Sequence, residues 1–213
     1  MKKILLLLSL ITVITGCNFK STNKTIIEND HIKFNKAYDK ASKCSNIVDT
    51  IFLGLRFGMS SAQVNSHLED MLKKGKLKIN IFNKYEYTLI FENNGVKATL
   101  SAEYFKDKLY KFSLNFEEYG INDVYIPMDD QVMVNLAKRV FLTKIQINKE
   151  KYDSYYYTLD GLGTFANFIR GNLLVEFSPL GKMNYINIPV EKEKEIYDKK
   201  IKQKNTQSSI SDL

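Results

Sequence analysis

Twice along this chain the spacing of apolar residues switches from helical to alternating. Val64, Leu68, Met71 and Leu72 recur at helical intervals behind Ser60 and Gln63, which stand in capping-box spacing, so a helix is predicted over 61–74, ending at Gly75. From there Ile, Phe and Tyr alternate with polar residues over 77–82 and 85–92, and the Asn93-Asn94-Gly95 turn leads to 96–104. Over 109–117, Tyr110, Phe112, Leu114 and Phe116 alternate with Lys111, Ser113, Asn115 and Glu117, which gives a meander one dry face. Pro127 with Asp129 and Asp130 then opens a second helix over 128–144, carried by Val132, Val134, Leu136, Ala137, Val140 and Phe141. Strands return at 152–159, 164–170, 172–178 and 182–189, parted by Asp160-Gly161, Gly171-Asn172 and Pro179-Leu180-Gly181. The reading is an α+β domain over 49–190, made of two helix-plus-antiparallel-meander units (49–120 and 121–190) with the sheet packed on the helices.

Hydrophobic residues at 44% against 26% charged, with three prolines in 213 residues, place the chain among globular proteins and confine disorder to the ends. Residues 17–48 are Lys- and Asn-rich without sustained periodicity and read as a flexible tether, although Phe34, Ala37 and Tyr38 allow helical turns. Residues 191–213 read as a charged helix fraying into disorder. The net charge of +7 falls to +5 once Lys2 and Lys3 leave with the N-terminal segment, and the lysines are interspersed with acids, as in EKEKEIYDKKIKQK at 191–204. A phosphate-neutralising stripe is absent from this pattern, which argues against nucleic acid as a partner.

The N-terminal segment MKKILLLLSLITVITGC has a basic start and an apolar run from Ile4 to Ile14, too short for the roughly 20 residues of a spanning helix. Residues 1–16 are therefore read as a secretory signal. Its last residues, Ile14-Thr15-Gly16-Cys17, resemble the lipobox of bacterial lipoproteins: a branched apolar residue, two small residues and the cysteine whose thiol takes the lipid. The resemblance implies acylation of Cys17 with palmitate-type chains and tethering to the bacterial envelope from the extracytoplasmic side. Asn18, rather than an aspartate, favours the outer membrane over the inner, and the lack of an acidic cluster over 18–25 favours the periplasmic face over the cell surface. With Cys17 acylated, Cys44 is left as an odd cysteine in a polar run, without a helix-terminal or histidine-paired setting.

The segment Leu55-Arg56-Phe57-Gly58-Met59-Ser60-Ser61-Ala62-Gln63-Val64 resembles the opening of the helix–meander unit in the β-lactamase inhibitor protein fold, which the small lipoprotein of the outer-membrane barrel-assembly machine also resembles. The second unit departs from that opening, with Pro127-Met128-Asp129 before its helix. What the resemblance implies is a protein-binding or assembly module rather than an enzyme.

The residues themselves offer little chemistry. Of two histidines, His31 lies in the tether and His67 on the first helix without a second histidine at ligand spacing, so no metal or other cofactor is expected. Gly58-Met59-Ser60 fails the nucleophile-elbow pattern at Ala62, and Asp160-Gly161-Leu162-Gly163 is a hairpin turn rather than a phosphate cradle. Glu117-Glu118 and Asp129-Asp130 are adjacent pairs whose side chains diverge. The run Tyr155-Tyr156-Tyr157 is the candidate partner-binding feature, since in a strand Tyr155 and Tyr157 share one face and Tyr156 takes the other. The sequence is thus read as a non-catalytic, lipid-anchored protein holding an envelope protein. The alternatives are a glycan- or small-ligand-binding lipoprotein using the tyrosines, and an enzyme of unrecognised type.

Overall fold

The computed structural model describes residues 19–91, 94–121, 124–126 and 129–211. The signal segment, Cys17, Asn93 of the predicted turn and the predicted helix-opening Pro127 lie outside these residues, as do the side chains of Glu117 and Glu118. The first element is helix α1 (Phe19–Ala41). A short 3-10 turn (Phe52–Gly54) precedes α2 (Ser61–Lys73), then strands β1 (Lys78–Ile79), β2 (Tyr85–Phe91), β3 (Asn94–Phe105), β4 (Lys108–Ile121) and β5 (Val124–Ile126). Helix α3 (Asp130–Ile147) leads to β6 (Asp153–Leu159), β7 (Gly163–Arg170), β8 (Leu173–Ser178) and β9 (Lys182–Asn187), and α4 (Ile188–Ser211) closes the chain.

All strands join one antiparallel sheet in the order β1-β2-β3-β4-β9-β8-β7-β6, with β5 paired to β4. The two runs of strands meet where β4 pairs β9, Phe112 opposite Tyr185 and Leu114 opposite Met183. Helices α2 and α3 cover one face. Ser60 caps α2 through its Oγ, which accepts from Gln63 N–H, while Ser60 N–H donates to Gln63 Oε1, and Val64, Leu68 and Met71 turn inward. Asp129 caps α3, its Oδ1 accepting from Gln131 N–H at 2.8 Å, and Met133, Val134, Ala137 and Phe141 pack on Phe168, Val175, Phe177 and Phe112 in the main core.

Four expectations change. The predicted tether contains α1, whose stripe Phe34, Ala37, Tyr38 and Ala41 closes on the opposite face of the sheet against Tyr157, Ile169, Leu174 and Ile186. The apolar segment predicted as a strand over 77–82 is extended only at Lys78–Ile79, because Asn80 closes a turn there. A register shift pairs Glu103 with Lys111 and Tyr104 with Leu109, leaving Tyr110 as the extra residue of a β-bulge. Leu109 therefore takes the core position, and Tyr110 donates its hydroxyl to Glu103 Oε2 at 2.7 Å. The last strand stops at Asn187, and Ile188, fully buried, already begins α4.

Candidate functional site

Strand β6 ends the strand order, and among the described residues only β7 pairs with it. The seven residues from Asp153 to Leu159 thus present a free edge of backbone donors and acceptors. Tyr155, Tyr156 and Tyr157 lie on this strand opposite Asn167, Ala166 and Phe165.

The pleat divides the three tyrosines between two environments. Tyr157, 8% exposed, stacks on Phe165 with centroids 5.4 Å apart and meets Phe34 and His31 of α1 at 5.3 and 4.5 Å. Tyr155 stands half-buried beside Phe34. Tyr156 faces the other way, 42% exposed, with its ring against Phe168 and Lys138 Nζ 5.9 Å above it. Burial pushes all three phenols above their ordinary range. The structure therefore does not bring the tyrosines into one platform; it places one outward on the α3 side and buries another under α1.

An opening flanks β6 on each side. On the α3 side, Tyr156, Lys138, Asn135, Gln131 and Thr164 line a cavity of about 360 Å³. On the α1 side, a cleft of about 910 Å³ runs past Tyr155, Asp153, Arg170, Lys40 and Cys44. Cys44 is half-buried, and its Sγ accepts from Asn46 N–H at 3.4 Å. The cleft is anchored below by Asn172, whose N–H donates to Asn46 O at 3.3 Å and whose Oδ1 accepts from Val48 N–H at 2.5 Å. Gly171, at φ +59°, passes so close to Asn46 that a Cβ would stand 2.5 Å from its carbonyl oxygen.

A polar row crosses the sheet on the α1 side, and no single-strand pattern announces it: Tyr155, Asn167, Glu176, Asn184, Ser113 and Ser101 are successive cross-strand partners. Asn184 Nδ2 donates to Glu176 Oε1 at 2.8 Å, and Asn167 is fully buried. Nearby, Tyr38 donates to Glu191 Oε2 at 2.5 Å, linking α1 to α4, with Lys192 3.4 Å from Asp39. Burial pushes the Glu191 carboxyl up, and the Tyr38 bond offsets part of that rise.

The remaining sequence candidates have structural positions. His67 Nε2 donates to Leu53 O at 2.9 Å, and Asp130 lies against Gly181 at the β8–β9 turn. Among the described residues no cluster of three His, Cys, Asp or Glu side chains has metal-ligand proximity, and no helix is long and apolar enough to cross a membrane.

No curated protein and no solved structure matches the chain. Residues 1–18 match the family model for the prokaryotic membrane lipoprotein lipid attachment site, a match that spans Cys17. The chain is a lipid-anchored lipoprotein of the bacterial envelope.

Proposed function

We propose that this lipoprotein is a non-catalytic binding or assembly module, held through acylated Cys17 on the periplasmic face of the outer membrane, that takes an extended segment of an envelope protein along β6. The observation that carries the reading is the free seven-residue edge of β6 with an opening on either side. An added strand gains main-chain hydrogen bonds, and its alternate side chains fall to opposite faces. Here one set would enter the cavity beside Tyr156 and the other the cleft beside Tyr155. The exposed Tyr156 under Lys138 supplies a rigid contact with a polar tip. The split of the tyrosines between two faces fits this mode better than sugar stacking on a shared aromatic floor.

The test is crosslinking of the lipidated protein in its own membranes, with a photoreactive residue at Thr158, exposed on β6 beside Tyr156. One envelope protein captured in stoichiometric yield is expected, with its affinity reduced about tenfold by Tyr156→Ala. Absence of a protein crosslink at Thr158 in membranes where the lipoprotein is intact would sink the proposal.

A further inference from the structure

The turn between β1 and β2 carries the most exposed large apolar side chain among the described residues, Ile81, with a second exposed one, Phe82, beside it. Ile81 is 93% and Phe82 70% exposed, and Ile79 beside them is also exposed. These residues are held out by a built turn. Asn80 Oδ1 accepts from Phe82 N–H at 3.0 Å and from Lys84 N–H at 2.9 Å. Asn80 N–H donates to Lys84 O and Asn83 N–H to Asn80 O, each at 3.0 Å, with Asn83 in the left-handed region at φ 58°. On the strand side Leu77 is buried in the main core, so the tip is fixed to the domain.

The charges around this tip are predominantly positive, the flanking acids being Asp70, paired with Lys74, and Glu86, which stands opposite Lys78 on β2. Lys73, Lys74, Lys76, Lys78 and Lys84 are exposed, and the sequence holds no acid between Asp70 and Glu86. Lys74 pairs with Asp70, whereas among the described residues no ion pair engages Lys76, Lys78 or Lys84. A protruding Ile-Phe tip ringed by amines is the chemistry of an interfacial anchor: the apolar pair enters the acyl boundary and the lysines meet anionic headgroups.

We propose that the β1–β2 turn is a second membrane contact, inserting Ile81 and Phe82 into a bilayer that carries anionic lipid. Two observations select a lipid surface over a protein. The lysine ring is complementary to anionic headgroups, and a side chain as exposed as Ile81 suits a fluid interface, where a protein would need a matching pocket. The anchor also keeps the domain near the bilayer, because α1 starts two residues after Cys17 and, at 23 residues, spans only about 35 Å. Lipid anchoring then makes the turn's encounter with the surface intramolecular.

The chain has no tryptophan, so Phe82→Trp places a single indole at the tip. The lipidated full chain is reconstituted in vesicles of phosphatidylethanolamine and phosphatidylglycerol containing acyl-brominated lipid. The indole is expected to be quenched there, and far less in phosphatidylcholine vesicles. Each lysine near an anionic surface is worth about fivefold in binding, so Lys76→Gln with Lys78→Gln and Lys84→Gln should lower the equilibrium constant for surface contact about a hundredfold. An indole at the comparably exposed Ile90 should stay unquenched. An unquenched tip in anionic vesicles, equal quenching at positions 82 and 90, or shielding of the tip only after envelope proteins are added would each overturn the proposal, the last by assigning the turn to a protein partner.

Discussion

The two faces of the sheet are built on different principles. The face under α2 and α3 is apolar across its width, from Leu89 and Val96 through Phe112 and Leu114 to Val175 and Phe168, and helical stripes of ordinary spacing close over it. The face under α1 and α4 has a smaller apolar cluster beneath α1 and the start of α4, where Tyr157, Ile169, Leu174, Ile186 and Ile188 meet Phe34 and Ala41, and a separate contact of Phe105 with Tyr197 farther along α4. A polar row runs beside that small cluster. The first face supplies stability through non-directional burial, whereas the second holds its helices by a few aromatic contacts and by hydrogen bonds such as Tyr38 to Glu191. The free edge of β6 lies where both faces end, so its two sides differ in how firmly they are covered.

The largest expected effects test this division directly. Phe112 is fully buried at the β4–β9 junction, and Phe112→Ala should cost about 3–5 kcal/mol in urea unfolding, a large part of a typical domain's 5–15 kcal/mol. Phe34→Ala removes the central side chain of the α1 stripe and should cost about 3 kcal/mol, the lower end of that range, because the smaller cluster at the sheet edge can relax into the space. A change near zero for Phe34→Ala would show that α1 is a tether after all and that the second face contributes nothing.

The same contrast explains what could be read from sequence. Ser60 with Gln63, the stripe Val64, Leu68 and Met71, and the alternation around Phe112 are local signals with strong periods, and they marked the core face. Helix α1 has the spacing Phe34, Ala37, Tyr38, Ala41, but its other positions are so rich in Lys, Asn and Asp that the pattern reads as linker until the sheet supplies a surface to bury it. The pairing of β4 with β9 joins residues about 70 positions apart, and no single-strand pattern encodes such a contact. The polar row is invisible for the same reason: each strand contributes one of its members, and only the register aligns them. At the candidate site, the tyrosine run marked β6 and its alternation, but not that β6 is an edge or that α1 covers Tyr157. Ile81 and Phe82 looked like strand residues because their composition is right; the Asn80 side chain, bonding two backbone N–H groups, makes them a turn.

A smaller effect separates the hydrogen-bonded part of the second face from its apolar part. Tyr38→Phe keeps the ring against Phe34 and removes the hydroxyl from Glu191, so about 1–3 kcal/mol should be lost at neutral pH. Burial raises the Glu191 carboxyl in the folded protein, so ionising it costs stability as pH rises through its folded pKa, and the Tyr38 bond reduces that cost. Below the unfolded carboxylate range, around pH 4, Glu191 is protonated in both states and the hydroxyl loses its charged acceptor. The gap between the variant and the parent should therefore be full above the folded pKa and close on acidification. A gap independent of pH would assign Tyr38 to packing alone.

The smallest effect lies on the core face, where one local rule is broken. Helix α3 ends with Glu150 N–H donating to Ile145 O at 2.9 Å and Lys149 N–H to Gln146 O at 3.2 Å, a pattern that places Lys149 in the left-handed region at φ 54°. A lysine there bears roughly 1–2 kcal/mol of Cβ strain, while glycine adds about 0.5–1 kcal/mol of unfolded-state entropy. Lys149→Gly should accordingly stabilise the protein by about 0.5–1 kcal/mol, with Lys149→Ala near neutral because alanine keeps the Cβ. Neither substitution touches a core cluster, so a gain for glycine alone shows that the well-packed face still holds local strain at a helix end that burial does not relieve.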